Sequence, residues 1–133
     1  MADERTQLVG WLDLQRAIVH LKCGGLSDAD AHRSVLPASP LMTVAGVVSH
    51  LRWVEHLWFE VAFLGKPAVG PQFDEETEDA DMRVSGIPLT QLLREYERQC
   101  AVSNATTDPA SCGMGRPIPG SLTVVDEGEC ASI

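Results

Sequence analysis

Apolar positions recur at helical spacing through three stretches of this chain. Over residues 3–23, Leu8, Trp11, Leu12, Leu14, Ile18, Val19 and Leu21 share one broad arc of a helical wheel, with Asp13, Arg16 and His20 opposite. That pattern predicts a helix with the leucine arc turned inward, stopped by Gly24-Gly25, because glycine tolerates the left-handed backbone that ends helices. Residues 26–40 read as a connector. Ser27 caps a short turn, Asp28 and Asp30 sit at its positive end, and Pro37 and Pro40 prevent a long helix. A second helix is predicted over 42–64, ending at Gly65. Its main stripe is Thr43, Gly46, Val47, His50, Val54, Leu57, Val61 and Leu64, and Val48, Leu51, Phe59 and Ala62 cover another side. A third helix is predicted over 88–104, with Pro88 in its first turn, an apolar stripe of Leu89, Leu93, Tyr96 and Cys100 with Leu92 beside it, and Arg94, Glu95, Glu97, Arg98 and Gln99 facing water.

Between the second and third helices, residues 65–87 form an acidic loop. Its "DEETEDADM" (74–82) places six carboxylates in nine positions and reads as a solvated run, without the glycine-centred ligand order of an EF-hand calcium site. From residue 105 to 133 the chain is rich in Gly, Pro and Ser and loses helical periodicity, so an irregular, flexible tail is expected, with "SLTVV" (121–125) its one strand-like piece. The domain expected is therefore 1–104, all-α, followed by that tail.

Charge and cysteine usage narrow the function. The chain has 133 residues, enough for one domain with a real core, and carries 19 acidic against 10 basic residues for a net charge of −9. That balance excludes nonspecific nucleic-acid binding and an anionic membrane surface as partners. Arg52, Glu55 and Glu60 lie inside the most apolar segment, which argues for a buried helix and against a membrane span. The start, "MADERTQL", has no secretion-signal pattern, so a cytoplasmic location is expected. Cys23, Cys100, Cys112 and Cys130 form no C-x-x-C pair and read as free thiols in a reducing compartment. There is no phosphate-binding glycine loop, G-x-S-x-G or H-E-x-x-H.

The histidines hold the remaining chemistry. His20 reads as a surface residue and His32 as a connector residue without a ligand partner. His56 lies on the less apolar side of the second helix, about 120° round from His50, so one ion could not readily take both. His50 stands on an apolar stripe. A buried imidazole needs a hydrogen-bond partner or a metal, and both readings stay open on these grounds.

Several stretches taken in order carry a family likeness: "LDLQR" in the first helix, "GLSDADAHR" in the connector, "VVSHLRWVEHLWF" in the second helix, then "DADMRV" and "LLREYERQC". Over residues 5–104 the chain resembles the DinB-like superfamily, most closely the branch labelled mini-circle proteins. The resemblance implies an antiparallel four-helix bundle with a long crossover between the second and third helices, of which three are recognisable here. It also implies a divalent metal such as Zn, Ni or Fe held by three histidines. One of these is at the position of His50, and two belong to a pair on a fourth helix. Some relatives are thiol transferases or isomerases that use a low-molecular-weight thiol such as mycothiol or bacillithiol. No histidine follows Asn104, so the implied site is incomplete and the chain alone is expected to be inactive. A shifted reading frame at the C-terminus is one explanation, which the other two frames of the coding DNA would test. The alternative function is a noncatalytic helical protein that dimerises through exposed helix faces.

Overall fold

The computed structural model describes residues 3–108. Among them the architecture is all helix and connector, with no strand. Helix α1 spans Glu4–Cys23, the short α2 Asp28–Ala31, α3 Val44–Glu55 and α4 Leu89–Thr106. Helix α3 passes directly into a π-helix, His56–Phe63, and two 3₁₀ turns, Pro71–Phe73 and Ala80–Met82, lie in the crossover. The expected tail begins later than residue 105, since Ala105 and Thr106 continue α4; the part beyond Asp108, with the strand-like 121–125, lies outside the described residues.

Short polar side chains set the helix starts. Asp3 accepts from the Thr6 amide at 2.7 Å, Ser27 from Asp30 at 3.1 Å and Thr43 from Gly46 at 2.9 Å, each satisfying a first-turn N–H that has no partner within its helix. Pro88 precedes α4 and offers no side-chain cap; Asp28, 61 residues earlier, supplies one by accepting from the Leu89 amide at 2.8 Å. Gly25 and Gly65, at φ 72° and 69°, turn the chain out of α1 and out of the long second helix.

The predicted 42–64 helix is present, but it changes pitch at His56. A π-turn is wider, so each residue advances less around the axis, and side chains beyond 56 leave the register that an α-helical wheel assigns.

Paired side chains give the topology. Arg16 meets Asn104 and His20 meets Glu97, so α1 runs antiparallel to α4. Arg52 meets Glu95 and Glu55 meets Cys100, so α3 and α4 run in the same direction, as the long 64–88 crossover permits. The closest packing is between these two helices. The core is Ala31, Ala45, Val48, Val84, Leu89, Leu92 and Tyr96 with Cys23 and Cys100, and Val19, Leu26, Leu51 and Leu93 pack around it.

Helix α1 departs from the prediction over most of its apolar arc, of which Val19 packs against the core. Its buried residues are Arg16 and Cys23, whereas Leu8, Trp11, Leu14, Ile18 and Leu21 are exposed, Trp11 at 64% and Leu21 at 76%. The reason is electrostatic: Arg16 has a buried carboxylate waiting on α3, and no described element covers the leucine arc. Helix α3 is rotated by about one position for a similar reason. It buries Ala45, Val48, Ser49 and Glu55, and leaves Val47, Val54 and Leu57 half-buried. On α4, Gln99 is buried, not turned to water, and donates to Glu60 at 3.0 Å.

Candidate functional site

His50 stands at the edge of the buried face of α3, with its side chain 47% exposed. The core reading of this residue is therefore corrected: the rotation of α3 brings Val48 and Ser49 inward and leaves the imidazole half in solvent. Its Nδ1 lies 2.6 Å from Oδ2 of Asp81. No hydrogen bond among the described residues engages its Nε2.

Asp81 comes from the acidic run, and it alone of the run's six carboxylates is buried. Ala80 and Met82 flank it in a 3₁₀ turn that docks against α3. The Ser49 hydroxyl donates to the Asp81 carbonyl at 2.5 Å. Gly46 makes that approach close: a Cβ there would stand 2.7 Å from the Leu41 carbonyl oxygen and 3.1 Å from that of Met82. Asp79, at φ 52°, is the one non-glycine described residue in the left-handed region and bends the chain into the turn. Gly46, Ser49, His50 and Asp81 thus form a single unit. The solvated reading of the run holds for its first five carboxylates and fails at Asp81.

The other histidines are engaged at both ring nitrogens or stand at the surface. His56 has Nδ1 2.7 Å from Oε2 of Glu60 and Nε2 3.1 Å from the Val69 carbonyl, with its ring edge-on to Trp53 at 5.4 Å. His32 lies between the carbonyls of Asp28 (2.9 Å) and Val84 (3.2 Å). His20 sits at the rim of the α1–α4 contact, 3.6 Å from Glu97.

Two further carboxylates organise the interior. Glu55 pairs through Oε1 with the Arg16 guanidinium and accepts the Cys100 thiol at Oε2, 2.9 Å away. Arg16 also reaches Asn104 at 2.6 Å. Burial opposes the Arg16 charge, but the bond and attraction from Glu55 outweigh it and hold its pKa above the ordinary value. Burial, then the bond to Glu55 and its negative charge, push Cys100 up to about 12, so this thiol is not a nucleophile at neutral pH. Burial likewise raises Cys23. Glu60 goes the other way. Burial would raise it, but bonds from His56, Lys66 and Gln99 and the Lys66 charge bring it down to about 2.

The described residues do not by themselves make a metal centre: no group of three His, Cys, Asp or Glu among them could hold an ion. His50 contributes one free nitrogen, and Asp81 is spent on its other side. A cleft of about 240 Å³ opens between the connector and residues 82–86, but His50 is not among its walls.

An all-α bundle with a parallel central pair and one outward-facing histidine is the class of protein defined here. Residues 7–123 match the family model described as Mycothiol-S-transferase, and the chain belongs to that family, within the DinB-like superfamily. The match runs past residue 104 and takes in residues 105–123, which the sequence resemblance leaves out. Neither the search of curated proteins nor that of solved structures returned a match. No helix among the described residues is long and apolar enough to cross a membrane.

Sequence reasoning finds His50 and misses Asp81, Glu55 and Arg16 as partners. Glu55 carries a readable signal, since a carboxylate inside an apolar helix needs a compensating partner. Asp81 carries a weaker one: it is the member of the run set between Ala80 and Met82.

Proposed function

We propose that this chain handles a low-molecular-weight thiol of the mycothiol type at a site built on His50. On its "LDLQR" and "GLSDADAHR" motifs it stands nearest the mini-circle branch. The supporting observation is the asymmetry of the His50 ring, with Nδ1 held by a buried carboxylate and Nε2 facing outward. His50 is the described residue arranged to give a lone pair to a divalent ion such as Zn, Ni or Fe, and an ion there would take its other ligands from outside the described residues. Short of those ligands, the isolated chain is at most a weak transferase. Metal content after loading and desalting tests the reading: near-equimolar metal that is lost in His50→Ala supports it, and metal-free wild type overturns the metal part. Conjugation of mycothiol to monochlorobimane, followed by fluorescence, tests the thiol part; a wild-type rate no higher than that of His50→Ala overturns it.

Self-association is a second property the surface favours. Trp11, Leu14, Ile18 and Leu21 fall on one stripe of α1 and are all exposed, an apolar face that a second copy could cover. Light scattering over a concentration series checks this. A monomer at every concentration removes it, and a dimer that Trp11→Glu dissociates supports it.

A further inference from the structure

The His50–Asp81 pair carries an inference beyond family membership. Three observations converge on Asp81. Its carboxylate is 10% exposed and lies 2.6 Å from Nδ1 of His50. Its backbone is pinned by the Ser49 hydroxyl, one residue before the histidine on the same helix. The missing Cβ of Gly46 allows the turn that carries it to sit against α3. A carboxylate so fixed has one ring atom to receive a proton from, and a neutral imidazole carries its proton on one nitrogen only.

We propose that Asp81 is the positioning residue of His50: it accepts the Nδ1–H, fixes the neutral ring in that tautomer, and aims the Nε2 lone pair outward as the atom that works at the site. The assignment rests on the reading of His50 above and concerns only how the ring is held. It accounts for a buried carboxylate in a run that is otherwise solvated. It also separates His50 from His56, whose carboxylate partner serves a ring with no nitrogen left over.

The test is a long-range proton–nitrogen NMR spectrum of ¹⁵N-labelled protein, taken with a chelator present and at alkaline pH. The result is then independent of metal loading and of the thiol assay. In wild type, the His50 Nδ1 resonance is expected in the range of a protonated ring nitrogen and the Nε2 resonance in that of a bare one. In Asp81→Ala the two exchange places or average. In Asp81→Asn, whose side-chain oxygen still accepts, the wild-type pattern returns. A wild-type His50 protonated on Nε2 overturns the proposal without any variant, so an Asp81→Ala chain that fails to fold does not shield it. An Asp81→Ala spectrum identical to wild type overturns it as well. Loss of the metal result with this tautomer intact would sink the metal part of the proposed function and leave the positioning role standing.

Discussion

His50 and His56 sit six residues apart on one continuous helical run, and both hold a carboxylate at Nδ1, at 2.6 Å and 2.7 Å. They differ at the other nitrogen. The Nε2 of His56 lies 3.1 Å from the Val69 carbonyl, so both its nitrogens face acceptors, which only the imidazolium form bonds together, and the ring ties the π-helix to the crossover. The Nε2 of His50 has no such partner among the described residues. A histidine bonded at both nitrogens is a structural fastener; one bonded on a single side is oriented and still available. Glu55 belongs with the first kind, since its two oxygens are taken by Arg16 and Cys100 inside the bundle.

The largest effect is expected where the closed type is broken at its most buried point. Glu55→Ala leaves the Arg16 guanidinium, 8% exposed, without its buried anionic partner, with only Asn104 and the exposed Asp13, 3.3 Å away, in reach. Removing one member of such a pair costs about 3–5 kcal/mol. Urea unfolding followed by circular dichroism reads this directly. A loss under about 1 kcal/mol would mean that Asn104 and Asp13 suffice for Arg16 and that the pair is not a fastener.

Glu60 gives the next effect and a pH signature. Its folded pKa of about 2 lies below the ordinary 4.5, so the folded state favours the ionised form. The resulting stability is present in full above the unfolded value and is lost as pH falls from about 4.5 toward 2. It amounts to roughly 2–3 kcal/mol. Unfolding free energies across that window should decline more steeply for wild type than for Glu60→Gln. Parallel declines would show that the His56–Glu60–Lys66 group does not hold the π-helix.

Gly46→Ala probes the open pair through its foundation. The added methyl would meet the Leu41 carbonyl at 2.7 Å, too close without a shift of backbone. An overpacked site of this kind costs about 1–3 kcal/mol. The Met82 carbonyl stands 3.1 Å from the same methyl, so relief also moves the 80–82 turn off α3, and the His50 ring resonances should change while those of His56 stay in place. The reverse pattern would place the strain elsewhere.

These contrasts also show what can be read in a sequence like this one. Helix extents, the cap at Ser27 and the stop at Gly65 are local, and apolar period and cap chemistry report them. The separation of His50 from His56 around the helix is legible for the same reason. The inward face of α1 is not, because it is decided by an ion pair between residues 39 apart, Arg16 and Glu55, against which a wheel of leucines has no weight. Asp81 is hidden likewise: its partner lies 31 residues away and its neighbours in sequence are solvated acids. Long-range electrostatic pairing is the information that hydrophobic periodicity lacks, and here it places both the buried face of α1 and the carboxylate of the candidate site.

The smallest effect is the one that separates the two histidines most directly. His56→Ala removes a ring whose side chain is 11% exposed, with its contacts to Glu60, the Val69 carbonyl and the Trp53 ring, and leaves Glu60 to Lys66 and Gln99 alone. Two polar contacts of about 0.5–1.5 kcal/mol each put that loss at about 1–3 kcal/mol. His50→Ala removes a half-exposed ring with one bond and opens the Asp81 carboxylate to water through the space the ring leaves, so the loss stays near that of a single bond, about 0.5–1.5 kcal/mol. Thermal and urea unfolding of the two variants side by side should therefore show the His50 variant as the milder. For metal content and thiol conjugation the order should invert, with His50→Ala losing both and His56→Ala keeping them in whatever fraction stays folded. If the His50 variant proves the less stable of the two, its imidazole is a fastener like the other, and the outward nitrogen is merely exposed.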